Sequence, residues 1–271
     1  MERVVSAIIA AGSKKFINET WDAGKKWLNR YGEDHSPRAQ EAAMQNTIDF
    51  LKELAYKIEA LENSQRVSSK YISEVQNHPE FAFFLRKAMI TASLTDNNEK
   101  HKALAKLVTE RLAAPADSLV SMVSKLACDA ISFMSLKHMQ TLAVITILNN
   151  IRPSTPLLIP DLSYTQYYFP WIRLRLDPFI DLDIRYIDVS HLESLACVKR
   201  NDLVQRELDE ILSEGDLKFQ IKEIDDLQFK KKLERLWKSI NNVTPTTIGQ
   251  MIGVITADSI SLDNTSFQHW G

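Results

Sequence analysis

With 271 residues the chain is long enough for one large domain or two modest ones. An apolar share of 45% and a charged share of 25% are those of an ordinary globular protein, and a net charge of −2 excludes bulk electrostatic attraction to nucleic acid. Seven glycines are too few for a glycine-rich phosphate loop or a turn-rich all-β fold, and two cysteines, Cys128 and Cys197, match no metal spacing and point to a reducing cytoplasm.

The N-terminus opens on "VVSAIIAAG", preceded only by Arg3. It reads as neither a secretory signal nor a span, since a bilayer needs roughly 20 apolar residues. "KKFINETWDAGKKWLNRY" follows. On a helix, Ile17, Trp21, Gly24, Leu28 and Tyr31 fall along one line, widened by Phe16, Thr20, Ala23 and Trp27. Glu19, Asp22, Lys15 and Lys26 take the far side, with Lys14 and Lys25 at the border. Residues 1–30 hold six Lys/Arg against three acids. Aromatics beneath and lysines above are the layout of an interfacial helix, and equally of a helix sealing its own core. Lys14, Phe16, Trp21, Lys25, Lys26, Trp27 and Leu28 are the candidate contacts to an anionic membrane surface, on the inner face, or to a protein partner.

A long helix is expected from Pro37, capped by Ser36. Met44, Leu51 and Ile58 lie seven apart, with Thr47, Leu54 and Leu61 as the second row. This is the pattern of a coiled-coil seam or of a bundle helix, so Met44, Leu51, Leu54, Ile58 and Leu61 are candidate homodimer residues. Further helices are expected over 79–95, after Asp96 as cap with Glu99 in the capping-box position, over the stretch ending near Phe133, and after Ser135. His101 reads as a solvated residue at a helix start. Three prolines in "RPSTPLLIP" end the bundle near 152. Beyond them, Ile172, Leu174 and Leu176 alternate with Arg173 and Arg175, as do Ile180, Leu182 and Ile184 with Asp181, Asp183 and Arg185. Period two predicts one or two half-buried strands. Helices resume over 202–213, 225–241 and 245–257.

Catalytic grammar is missing. No G-x-S-x-G, Walker-type loop or H-E-x-x-H occurs, and no two histidines stand three or four apart. Asp181 and Asp183 form a D-x-D that reads as a charged strand face, and both cysteines read as core thiols. Neither an enzymatic activity, a metal nor a cofactor is expected. The densest basic run, "KKKLERLWKS", places Lys230, Lys231, Lys232 and Arg235 on a helix, the candidate nucleic-acid contacts.

Two resemblances add to this. "VSHLESLACVKR" resembles the helix region ahead of a winged-helix wing, and "VTPTTIGQMIG" the segment that follows it, with "SLKHMQTLAVITIL" as first helix. About 35 residues are inserted where a short wing belongs. Residues 135–271 carry 15 Lys/Arg against 18 Asp/Glu, which favours a protein-binding winged helix over a DNA reader. "FAFFLRKAMITASLTDNNEKHKALAKLVTERL", with those last two phrases, is similar to an uncharacterised bacterial family of helical proteins known mainly by locus tags, over roughly 77–256. That resemblance implies a phage-defence context and a partner encoded nearby, and carries no site residues.

The expectation is therefore mainly α: an amphipathic helical segment over 1–36, a helical bundle over 37–152, and a smaller α+β, winged-helix-like region over 153–271. The expected function is a non-enzymatic sensor or adaptor binding a membrane surface or protein partner. The alternative is a nucleic-acid-binding regulator using the C-terminal region.

Overall fold

The computed structural model describes residues 35–65, 67–76, 78–153 and 161–261, with positions 17, 18, 20–22, 25, 26, 29 and 30. The chain divides into two compact units, with the cut after Ser132. The proline-rich stretch expected to end the bundle lies about twenty residues further on, inside the second unit. Among the described residues no helix is long and apolar enough to cross a membrane.

The first unit is built on α1 (Pro37–Asn63), α2 (Ser69–Gln76), α3 (Pro79–Ser93), α4 (Asn98–Ala113) and α5 (Leu119–Ser132). Ser36 caps α1 by accepting from the Ala39 N–H, and Pro37 sits in the first turn, where its missing N–H costs nothing. The α1 stripe turns inward. Leu54 and Ile58 are fully enclosed, and Leu51 and Leu61 nearly so, against α3 and α4. Of the residues expected at a homodimer seam, Met44, Leu51, Leu54, Ile58 and Leu61, the last four are thus part of the chain's own core. Each enclosed side chain contributes about 1.5–3 kcal/mol to its own unit, and exposing them to a second copy would forfeit that. Met44 alone of the five is half-buried.

Helix α4 is enclosed on almost every side, from His101 through Ala103, Leu104, Leu107 and Val108 to Leu112, as befits a central helix. Its cap is Asn97, which accepts from the Lys100 N–H at 3.1 Å, one residue after the expected Asp96. His101 is buried, not solvated. Its Nε2 lies 3.1 Å from the Ala92 carbonyl, which also accepts from the Thr95 N–H, and 2.8 Å from that of Thr95, so the ring ties the start of α4 to the end of α3.

The second unit runs through α6 (Leu136–Asn149), α7 (Tyr164–Leu176), α8 (Tyr186–Ser194), β1 (Val198–Arg200), α9 (Leu208–Leu212), α10 (Leu227–Lys238), β2 (Val243–Pro245) and α11 (Thr247–Ser261). A 3₁₀ turn, Asp177–Phe179, follows α7. The strands expected at 172–184 are instead the end of α7, this turn and, over 180–184, a loop. Capped by Ser163 in a capping box with Gln166, α7 buries Tyr164, Tyr168, Ile172 and Leu176 at helical spacing. Tyr164, Tyr168 and Trp171 stack with centroids 5.3 Å apart, and the Arg175 guanidinium lies 3.9 Å from the Trp171 centroid. That ladder exists only at helical pitch, and it outweighs the period-two pattern of Ile172, Leu174 and Leu176. The helices expected over 202–213, 225–241 and 245–257 are found as α9, α10 and α11, the first of them only five residues long.

The two strands pair antiparallel, with Val198 opposite Pro245 and Arg200 opposite Val243. They lie in the two phrases that resemble the flanks of a wing. The fold is mainly α with a small α+β part. Core packing centres on α6 against α11, which meet along Gly249 and Gly253. A Cβ at Gly249 would stand 1.9 Å from the Cys197 carbonyl oxygen, and one at Gly253 2.1 Å from Thr146 Oγ1. Gly253 thus lets α11 lie against the α6 backbone, and Gly249 lets it lie against the backbone at Cys197, each closer than a side chain permits.

Candidate functional site

Among the described residues of the first unit, a cluster of exposed large apolar side chains lies on α3 and α5. On α5, Leu119, Met122, Leu126 and Asp129 fall on one row at spacings of three and four. Met122 and Leu126 are 50% and 51% exposed, and Leu119 is exposed as well. On α3, Phe83 is 68% exposed and stands in a row between Glu80 and Lys87. Two ion pairs join these rows, Glu80 to Lys125 and Lys87 to Asp129. Phe83 and Leu126 therefore lie beside these two ion pairs, and Met122 and Leu119 continue the α5 row toward the start of the helix.

Burying these four residues would release about 1.5–3 kcal/mol each, which a helix normally gains from its own core. The core rows are already filled: α5 turns Val123, Ala127, Cys128 and Ile131 inward, and α3 turns Phe81, Phe84, Leu85 and Ala88 inward. The outer row is thus surplus to folding. Sequence reasoning placed all of these residues on helices without separating the outer row, since an amphipathic pattern with two apolar sides looks simply hydrophobic.

Beneath the face lies Arg111 of α4, 2% exposed. Its Nη1 is 3.5 Å from the Ala114 carbonyl and its Nη2 3.9 Å from Glu80 Oε2, while Nε has no hydrogen-bond partner. Burial pushes this guanidinium down from its ordinary value, opposed by the Tyr71 and Asp117 side chains.

A second cluster lies in the second unit, where the starts of α6 and α8 meet. Asp188 is buried and accepts from Lys137 Nζ at 2.6 Å, from the Arg185 N–H at 2.9 Å and from Arg185 Nε at 3.4 Å. Burial alone raises this carboxyl, but those donors outweigh it and hold Asp188 at about 2. His138 Nδ1 accepts from the Ser135 N–H, completing the capping box of α6, and its ring lies against that of His191, centroids 4.6 Å apart and planes tilted by 32°. His191 Nε2 is 2.9 Å from the Phe133 carbonyl. Lys137 Nζ and the Arg185 N–H and Nε already serve the Asp188 carboxylate, so the cluster acts as a bolt between two helix ends.

The remaining candidates are dispersed. Lys14, Phe16, Trp27 and Leu28 lie outside the described residues; Trp21 is half-buried, and Lys25 and Lys26 are exposed. Ile17 and Thr20, on the apolar side of the same segment, are enclosed. On α10, Lys231 and Arg235 are exposed in one row, Lys230 is half-buried, and Lys232 is paired with Asp181 at 2.8 Å. Both thiols are buried. Burial pushes Cys128 up to about 12, with Asp129 adding and Lys87 opposing, and burial alone does the same for Cys197, so neither is a nucleophile at neutral pH.

A family model named for a locus tag matches residues 15–237. The chain belongs to that family. Its match begins well ahead of the residues that carry the resemblance in the sequence, takes in the whole α3–α5 face and the Asp188 cluster, and ends within α10, before β2 and α11. No curated protein and no solved structure matches the chain.

Proposed function

We propose that the chain is a non-enzymatic adaptor that binds a protein partner through the face shared by α3 and α5. The observation that supports this is the outer row of Phe83, Leu119, Met122 and Leu126, exposed on helices whose core rows are already filled. An apolar core rimmed by charges is the common anatomy of a partner-binding surface. A photo-crosslinking amino acid placed at Met122 in living cells tests it. A discrete crosslinked protein is expected. Once purified, that protein should bind the wild-type chain and lose about tenfold or more in affinity against Leu126→Glu. Crosslinking no stronger at Met122 than at exposed Tyr56 on α1 refutes the reading.

A membrane surface is the second reading, supported by Lys25 and Lys26 facing outward on a segment whose Ile17 faces inward. Co-sedimentation with vesicles containing anionic lipid, abolished by Lys25→Glu with Lys26→Glu or by added salt, would favour it. The enclosure of Ile17 and Thr20 gives part of that apolar side to the protein's own core, so the α3–α5 face is the better supported of the two.

A further inference from the structure

We propose that the α3–α5 face receives a single amphipathic helix of a partner protein, and that this helix carries carboxylates along its flank. The inference rests on the reading of that face as a partner surface, and it commits to the partner's chemistry.

Size argues for one helix. Leu119 to Leu126 is two turns of α5, about 10 Å, and the face presents four large apolar side chains in all. A stable pairing of two copies of the chain needs roughly 800 Å² and 20–30 residues a side, more than such a patch supplies. A lone helix engages a surface of this extent with three or four apolar anchors at helical spacing.

Charge argues for acidic flanks. Glu80 serves two cations at once, Lys125 at the surface and Arg111 below it. Lys87 is taken by Asp129, and Arg86 stands exposed on the same turn of α3. Cations on this face thus outnumber the carboxylates that hold them, and the shortfall falls on Arg111, with an unpartnered Nε and no contact closer than 3.5 Å. A carboxylate from outside that takes over Lys125 frees Glu80 to close on Arg111. Docking an acidic helix would then satisfy a buried guanidinium that the free chain leaves short of acceptors. A basic helix would instead compete for Glu80, the one carboxylate among the described residues within 4 Å of Arg111, and leave it with only the more distant Asp117.

The test is selection from a displayed library of helical peptides against the full chain, followed by binding measurements with individual peptides. Enriched clones should show apolar residues at spacings of three and four with Asp or Glu beside them. Their affinity should drop about tenfold or more on Leu126→Glu, and severalfold on Lys125→Met or at raised salt. Circular dichroism of both variants checks that the fold is kept, and Met122→Ser, a milder change on the same row, should weaken binding in the same direction. Clones that depend on Leu126 but carry neutral or basic flanks overturn the acidic partner while leaving the docking face standing. Clones indifferent to Leu126→Glu overturn both.

Discussion

Replacing Gly253 by alanine puts the packing of the second unit to a sharp test. In an ordinary helix this change stabilises by about 1 kcal/mol, because alanine is the better helix former. Here the new Cβ would stand 2.1 Å from Thr146 Oγ1, 2.6 Å from the Leu142 carbonyl oxygen and 2.7 Å from Thr146 Cβ. Two of these atoms are fixed to the α6 backbone, so relief requires α6 and α11 to part by roughly 1 Å. A gap of that size forfeits a quarter to a half of each contact along the seam, and overpacking costs about 1–3 kcal/mol in general. The expected result is a loss of about 2–4 kcal/mol in urea unfolding followed by circular dichroism. Gly215→Ala is the control. Gly215 has φ +57 with nothing within 4 Å of a Cβ, so only backbone strain of about 1 kcal/mol should appear. Thr146→Ala combined with Gly253→Ala should recover part of the loss, since Thr146 Oγ1 is the nearest obstacle and has no hydrogen-bond partner to lose. A Gly253→Ala protein as stable as wild type would refute the argument that the backbones meet here.

Two further outcomes can be measured directly. Asp188 is held at about 2 in the folded protein against roughly 3.9 unfolded, so its contribution of about 2 kcal/mol is present above pH 4 and is lost as pH falls toward 2; Asp188→Asn should lower stability at neutral pH and remove that part of the acid dependence, read by unfolding at several pH values. Leu54→Glu should unfold the first unit outright, with loss of helicity by circular dichroism, because Leu54 is fully enclosed between α1 and its neighbours; a folded Leu54→Glu protein of halved mass in light scattering would restore the dimer seam.

What the sequence could and could not disclose follows from the range of the interactions involved. Ser36 with Pro37, and Ser135 ahead of α6, are legible because a cap is settled within four residues. The breaks around α3 and α4 are legible for the same reason, though Asn97 takes the role assigned to its neighbour Asp96. Helix α7 was not legible: Arg173 and Arg175 between Ile172, Leu174 and Leu176 mimic a strand, while the deciding stack of Tyr164, Tyr168 and Trp171 appears only once a helix is assumed. His101 looks like a helix-start residue until α3 brings the carbonyls of Ala92 and Thr95 to its ring. The α3–α5 face was hidden in the same way. Phe83 and Leu126 are as apolar as Phe84 and Ala127, and only the packing of α4 decides which of them the protein keeps for itself.

The pairing of α6 with α11 bears on the order in which the chain acquires its structure. Leu142 and Gly253 touch across more than a hundred intervening residues, a closure that costs about 4 kcal/mol in chain entropy before any contact repays it. Within the first unit, α3 to α5 follow one another through short turns and pack against near neighbours in sequence. Local contacts form fast and distant ones slowly. During synthesis α3 to α5 can pack on one another while the second unit still waits for α11, so the proposed face on these helices forms before the rest of the molecule has closed.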